Sequence, residues 1–167
     1  MRGGVLPAAL LFAALGLSLA FAPRRAWVPS LLALCATLAT LATLAALAFL
    51  ALPHVWLEGI FLGLWISVIA TAASVHLGNR LTVRAALALS INAGVWAGAL
   101  VCVSGSQLDL LEALPFALIF LPASWVVSRY ASIPVKVVSS WVIAVAVLAA
   151  TLQLLPVTPG YLPDHLE

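Results

Sequence analysis

Apolar residues run in six long blocks along this chain, with polar punctuation between the blocks and little of it inside them. The blocks cover approximately 4–22, 27–52, 57–76, 85–103, 110–128 and 137–155. Each is close to the roughly 20 residues that an α-helix needs to cross a hydrocarbon layer about 30 Å thick. The breaks carry turn chemistry: Pro23-Arg24-Arg25, Pro53-His54, Gly78-Asn79-Arg80, Ser104-Gly105-Ser106, Ser132-Ile133-Pro134 and Pro156. Barrel strands alternate between apolar and polar positions, whereas these blocks are apolar all round, so helices are expected throughout. The predicted fold is all-α, a polytopic membrane bundle of about six transmembrane helices forming one domain over residues 1–167, with no room for a soluble domain.

Composition agrees with the pattern. The chain is 65% hydrophobic and 7% charged, against roughly 45–50% and about 25% in soluble domains. A net charge of +2 gives no basic stripe, which excludes a nucleic-acid partner. Two cysteines are too few for a disulfide-stapled secreted domain.

Charge sorts by loop. Arg24 and Arg25, Arg80 and Arg84, and Arg129 and Lys136 fall in the first, third and fifth loops, while Glu58, Asp109, Glu112, Asp164 and Glu167 fall on the opposite side. Cytoplasmic loops collect Lys and Arg, so the odd loops are expected inside and both termini outside. The first block is the weak point of this orientation, because Arg2 and the terminal amine balance Arg24 and Arg25. Residues 1–22 also resemble a signal peptide, with Ala20-Phe21-Ala22 imitating a cleavage site. Pro23 directly after that site argues for retention as a helix. Three blocks per half would suit an inverted repeat, as in many transporters, but the halves share no sequence similarity.

Helices in lipid approach closely where small residues allow it. Gly59 and Gly63 in the third block, and Gly94 and Gly98 in the fourth, are GxxxG pairs, accompanied by Ser67, Thr71, Ser74, Ser90 and Asn92. These two blocks are the expected packing centre, and a homodimer through one motif is an alternative use. Thr37, Thr40 and Thr43 recur every three residues, so they fan around a helix of 3.6 residues per turn. They are expected to bond back to their own carbonyls. Pro115 and Pro122 interrupt the fifth block, and a kink is expected at Pro122. Trp27, Trp125, Trp141, Tyr130, Trp56 and Tyr161 sit near block ends, as an aromatic belt requires. Trp65 and Trp96 lie near mid-membrane and are expected in packing, with a solute path past Trp65, Asn92, Trp96 and Pro122 as the alternative.

The blocks hold no central Asp, Glu, Lys or Arg, which counts against an ion-coupled pump. On the outer side His54, Glu58 and Asp109 form a weak candidate metal site, since imidazole with carboxylates suits Zn, Cu or Ni. Glu58 and Asp109 are equally well explained by the helix macrodipole, and Ser106-Gln107-Leu108-Asp109 by a capping box. On the inner side the six basic residues follow from topology and would attract anionic lipid headgroups. No Gly-rich loop marks a dedicated phosphate site. Cys35 and Cys102 lie at different depths and are expected to stay unpaired. No cofactor is implied and no catalytic constellation is evident. The sequence therefore reads as a non-catalytic accessory or structural subunit of a membrane complex, partnered by lipid and by other subunits or its own copies. The default compartment is the bacterial inner membrane. A small channel or carrier for a neutral solute is the second reading, and a membrane-embedded enzyme the last.

Overall fold

The first helix, α1 (Val5–Leu19), occupies the middle of the bundle. A computed structural model describes residues 5–46, 56–104, 112–129 and 132–154. Within α1, leucines alternate with alanine, glycine and serine around the whole circumference, so neighbours can approach from every side. Every residue from 11 to 22 is buried, and Leu11, Phe12, Ala14, Leu15 and Leu19 are fully so. A helix with no polar face is a core or membrane helix by pattern alone. Here it is both lipid-compatible and central.

The remaining elements follow the predicted breaks at Pro23-Arg24-Arg25, Gly78-Asn79-Arg80 and Ser132-Ile133-Pro134, while those at Pro53-His54, Gly105-Ser106 and Pro156 lie outside the described residues. Pro23 is extended and opens a 3-10 turn, Arg24–Ala26, that leads into α2 (Trp27–Ala46). Helix α3 (Leu57–Ser74) tightens into a 3-10 stretch, Val75–Arg80. Within that stretch Gly78 has φ 58° and ψ −134°, a conformation open to glycine and strained for other residues. Helix α4 (Val83–Ser104) follows; a 3-10 stretch, Leu114–Ile119, then runs into α5 (Phe120–Arg129), and α6 (Ile133–Leu154) completes the set. No strand occurs among the described residues. Among the described residues four segments are long and apolar enough to cross a membrane: Arg24–Ala46, Glu58–Gly78, Val83–Leu100 and Ile133–Leu154. The first and fifth blocks are shorter apolar helices, Leu6–Leu19 and Leu114–Arg129. At 1.5 Å per residue α1 is about 22 Å long, less than a full hydrocarbon thickness.

Contacts fix the relative directions. Gly94 faces Thr37 and Gly98 faces Leu41, so α2 and α4 run parallel. Gly63 faces Trp96, and Asn92 Nδ2 donates to Ser67 Oγ, so α3 and α4 run antiparallel. Gly16 lies against Ala117, and residues 20–24 lie beside residues 124–128, so α1 and α5 are parallel. Ser139 Oγ donates to the Ala72 carbonyl at 2.6 Å, joining the end of α3 to the start of α6. The three odd helices thus run one way and the even ones the other. Arg24, Arg25, Arg84, Arg129 and Lys136 all belong to helix ends at one pole of the bundle, while Glu58 and Glu112 belong to the other.

Three expectations change. The centre is α1, not the third and fourth blocks, although α3 is the most buried of the four long segments. The α4 glycine pair turns toward α2 instead of α3: a Cβ on Gly94 would overlap the Thr37 side chain and lie 3.3 Å from the Leu34 carbonyl. Among the described residues nothing lies within 4 Å of a Cβ built on Gly59. The third concerns the fifth block, which is not one continuous α-helix. The chain is 3-10 up to Ile119 and α-helical from Phe120, so Pro122 falls in the first turn of α5. The 3-10 turns lie directly before Pro122, whose ring crowds the preceding turn and whose missing N–H removes a hydrogen bond to it. The α2 threonines behave as expected. Thr37 Oγ1 lies 2.9 and 2.8 Å from the Ala33 and Leu34 carbonyls; Thr40 donates to Ala36 and Thr43 to the Thr40 carbonyl.

Glycine substitutions separate these environments. Gly59→Ala is expected to leave the thermal midpoint in detergent unchanged or raised, since alanine is favoured over glycine in a helix by up to about 1 kcal/mol. Gly94→Ala is expected to cost about 1–3 kcal/mol through overpacking against α2. Equal effects of the two changes would contradict the α2–α4 contact.

Candidate functional site

The mid-membrane residues do not form one surface. Trp65 is buried at 4% exposure inside the core, and its Nε1 has no hydrogen-bond partner among the described residues. Trp96 is half-buried and lies over Gly63, where a Cβ would overlap the indole. Asn92 is tied to Ser67 across the α3–α4 seam. Interhelical hydrogen bonds of this kind average about 0.6 kcal/mol in a membrane bundle, enough to fix register without dominating stability. Pro122 is exposed on the outer surface of the bundle. Packing therefore accounts for Trp96 and Asn92, and the four residues are not gathered around a shared space.

Buried hydroxyls are mostly spent on nearby carbonyls. Ser18 donates to Leu15, Ser74 to Thr71 and Ser90 to Ala86, at 2.9, 2.6 and 3.0 Å. Ser30 Oγ and Thr71 Oγ1 are buried without partners among the described residues. Cys102 Sγ lies 3.8 Å from the Leu41 carbonyl, while Cys35 is exposed further back on α2.

For the candidate metal residues, Glu58 is exposed in the first turn of α3, and His54 and Asp109 lie outside the described residues. Among the described residues no group of three or more His, Cys, Asp or Glu side chains is placed to hold a metal ion. The Ser106–Asp109 capping pattern also lies outside the described residues, as do Tyr130 and Tyr161.

Among the described residues, the basic pole carries a feature with both shape and charge. Residues Ala20, Phe21, Ala22 and Pro23 at the end of α1, Arg24 and Trp27 at the start of α2, and Ser124, Trp125, Val127 and Ser128 on α5 line a cleft of about 580 Å³. Its walls are held firmly. Trp27 Nε1 donates to the Leu19 carbonyl at 3.1 Å, closing one orphan acceptor at the end of α1. The same indole meets Phe120 edge-on, with ring centroids 5.0 Å apart. Leu17, Phe21, Val75, Ala123 and Val135 form a small apolar cluster that ties the end of α1, the 3-10 stretch after α3, α5 and α6 together. Ser124 and Ser128 lie four residues apart on one face and donate to the Leu121 and Trp125 carbonyls, each at 2.8 Å. Arg24 stands exposed at the rim.

Sequence reading named Arg24, Trp27 and Trp125 only as topology and belt residues. Gly16 it did not single out at all. A Cβ there would lie 2.8 Å from the Ala117 carbonyl, 3.0 Å from Ile119 Cγ2 and 3.2 Å from the Phe120 nitrogen. The close approach of α1 to the 3-10 backbone, which sets one wall of the cleft, depends on that glycine. Its isolation, with no second glycine four residues away, hid it. No family model, curated protein or solved structure matches this chain.

Proposed function

We propose that the chain is a lipid-embedded helical subunit that acts through its surface, contributing helices and interfaces to a membrane assembly and no chemistry of its own. The observation that carries this reading is the occupied centre. The axis of the bundle is filled by α1, which is buried from residue 11 to residue 22, so the space a central conduit would use is taken by packed side chains. Large apolar side chains face outward instead, among them Leu148, Leu152 and Trp141 on α6 and Val28 and Leu32 on α2. Those faces suit lipid or the helices of a partner, a second copy included. The proposed placement has six crossings, the basic pole at the cytoplasmic surface of a bacterial inner membrane, and both termini outside. Anionic lipid headgroups are the small-molecule partners of the basic pole.

Two measurements test it. The tagged chain extracted in mild detergent is expected to co-elute with another membrane protein or with itself at a fixed ratio. Proteoliposomes containing it are expected to swell no faster than empty ones in neutral-solute gradients. A lone monomer with solute-dependent swelling would overturn the subunit reading in favour of a carrier. The placement is tested separately by membrane-impermeant maleimide labelling of Arg80→Cys and Asp109→Cys in a Cys35→Ser, Cys102→Ser background. Reaction of both from the same side would overturn it.

A further inference from the structure

We infer that the cleft at the basic pole is a binding site for one anionic phospholipid whose headgroup carries hydroxyl groups, with the phosphate on Arg24. The inference rests on the proposed placement of this pole at the headgroup level of the bilayer. At about 580 Å³ the cleft falls within the range of small-ligand sites, roughly 300–1,000 Å³. Its floor is apolar: Ala20, Phe21 and Ala22 are buried, and Val127 is half-buried. An acyl chain can lie on that floor while the indoles of Trp27 and Trp125 stand at the depth where amphipathic rings settle in a bilayer.

The polar side selects the headgroup. Arg24 offers a planar fork of N–H donors, which matches two oxygens of a phosphate as a point charge does not. The Trp27 indole covers the Leu19 carbonyl, removing one acceptor that would repel the anion. Ser124 and Ser128 have already committed their hydroxyl protons to Leu121 and Trp125. Each hydroxyl has a single proton and two lone pairs, so what these serines have left is acceptor capacity. They can receive a hydrogen bond from a headgroup O–H and have no second proton to give a phosphate. A glycerol headgroup meets both requirements, whereas a choline headgroup supplies neither a net negative charge nor an O–H donor.

The test uses the full chain in a non-ionic detergent, with retained lipid counted by native mass spectrometry. Phosphatidylglycerol is expected to saturate at one tightly held molecule, favoured about tenfold over phosphatidylcholine. Arg24→Gln is expected to lower phosphatidylglycerol retention about tenfold, while Arg84→Gln, at the same pole on α4, changes it by less than about twofold. Ser124→Ala combined with Ser128→Ala is expected to narrow the preference for phosphatidylglycerol over phosphatidylcholine while leaving the thermal midpoint in place. Equal losses from Arg24→Gln and Arg84→Gln would overturn the site in favour of diffuse attraction. Displacement of the lipid by millimolar inorganic phosphate would overturn it in favour of a free-phosphate site. These outcomes are read in detergent, so they stand apart from the maleimide labelling that decides the placement of the pole.

Discussion

Phe12→Ala is expected to destabilise the bundle by about 2–3 kcal/mol in mixed-micelle unfolding, among the largest losses from any single truncation. Phe12 is fully buried in the middle of α1 and belongs to the main apolar cluster with Leu11, Leu15, Leu64 and Val68. Truncation of a buried aromatic in a soluble core costs roughly 3–5 kcal/mol, part of it transfer from water and part of it the cavity left behind. For a membrane bundle the separated helices sit in lipid, which is as apolar as the core, so the transfer part largely drops out. Lost dispersion contacts and the cavity remain. Leu152→Ala is the control. Leu152 is 60% exposed, and its removal is expected to shift the unfolding midpoint by no more than about 0.5 kcal/mol. Similar effects of the two truncations would mean that α1 is not central.

Gly16→Val is expected to cost about 3 kcal/mol, the upper end of what overpacking produces. The atoms that an added Cβ meets first include the Ala117 carbonyl at 2.8 Å and the Phe120 nitrogen at 3.2 Å. Backbone cannot swing aside as a side-chain tip can, so relief requires the whole 3-10 stretch to move away from α1. The second γ-methyl of valine makes matters worse on a helix, where χ1 is already restricted. The displacement would also open the α1–α5 wall of the cleft. Gly16→Val is therefore expected to lower both the thermal midpoint and phosphatidylglycerol retention, whereas Phe12→Ala lowers the midpoint with the cleft residues unchanged. A Gly16→Val protein with wild-type stability would refute the close approach.

The helical blocks were legible because bilayer thickness and backbone satisfaction leave few alternatives. Trp27 and Leu57 open helices where the pattern placed them, and the break at Gly78 carries the one positive φ among the described residues. The polar seam was half legible: Ser67 and Asn92 stood out as the polar positions of adjacent blocks, and they do meet. What the pattern did not reveal was which block lies inside. In water, apolar periodicity marks the buried face, but lipid and core are equally apolar, so a lipid-facing leucine such as Leu152 reads like a core leucine such as Leu15. Residue size carries the remaining signal. Alanine, glycine and serine spread around all of α1 allow contact on every side, whereas the exposed positions of α6 hold bulky Val137, Trp141 and Leu148. The glycine-pair pattern drew attention to Gly59, which has no close neighbour among the described residues, and away from Gly16, which packs on backbone. The cleft was beyond reach for a simpler reason: its walls come from residues 20–27 and 124–128, and no local pattern joins them.

The central position of α1 has a bearing on biogenesis. Ribosomal synthesis delivers α1 before the other described helices, yet the stretch around Ala117 and Phe120, whose backbone it approaches closely, emerges only after three further helices have been made. Until then the flank of α1 that meets this stretch faces hydrocarbon, which its uniformly greasy circumference permits. The bundle must consequently close around an element already in place, and arrest of translation before Phe120 should leave an intermediate that proteases in the membrane can still grip.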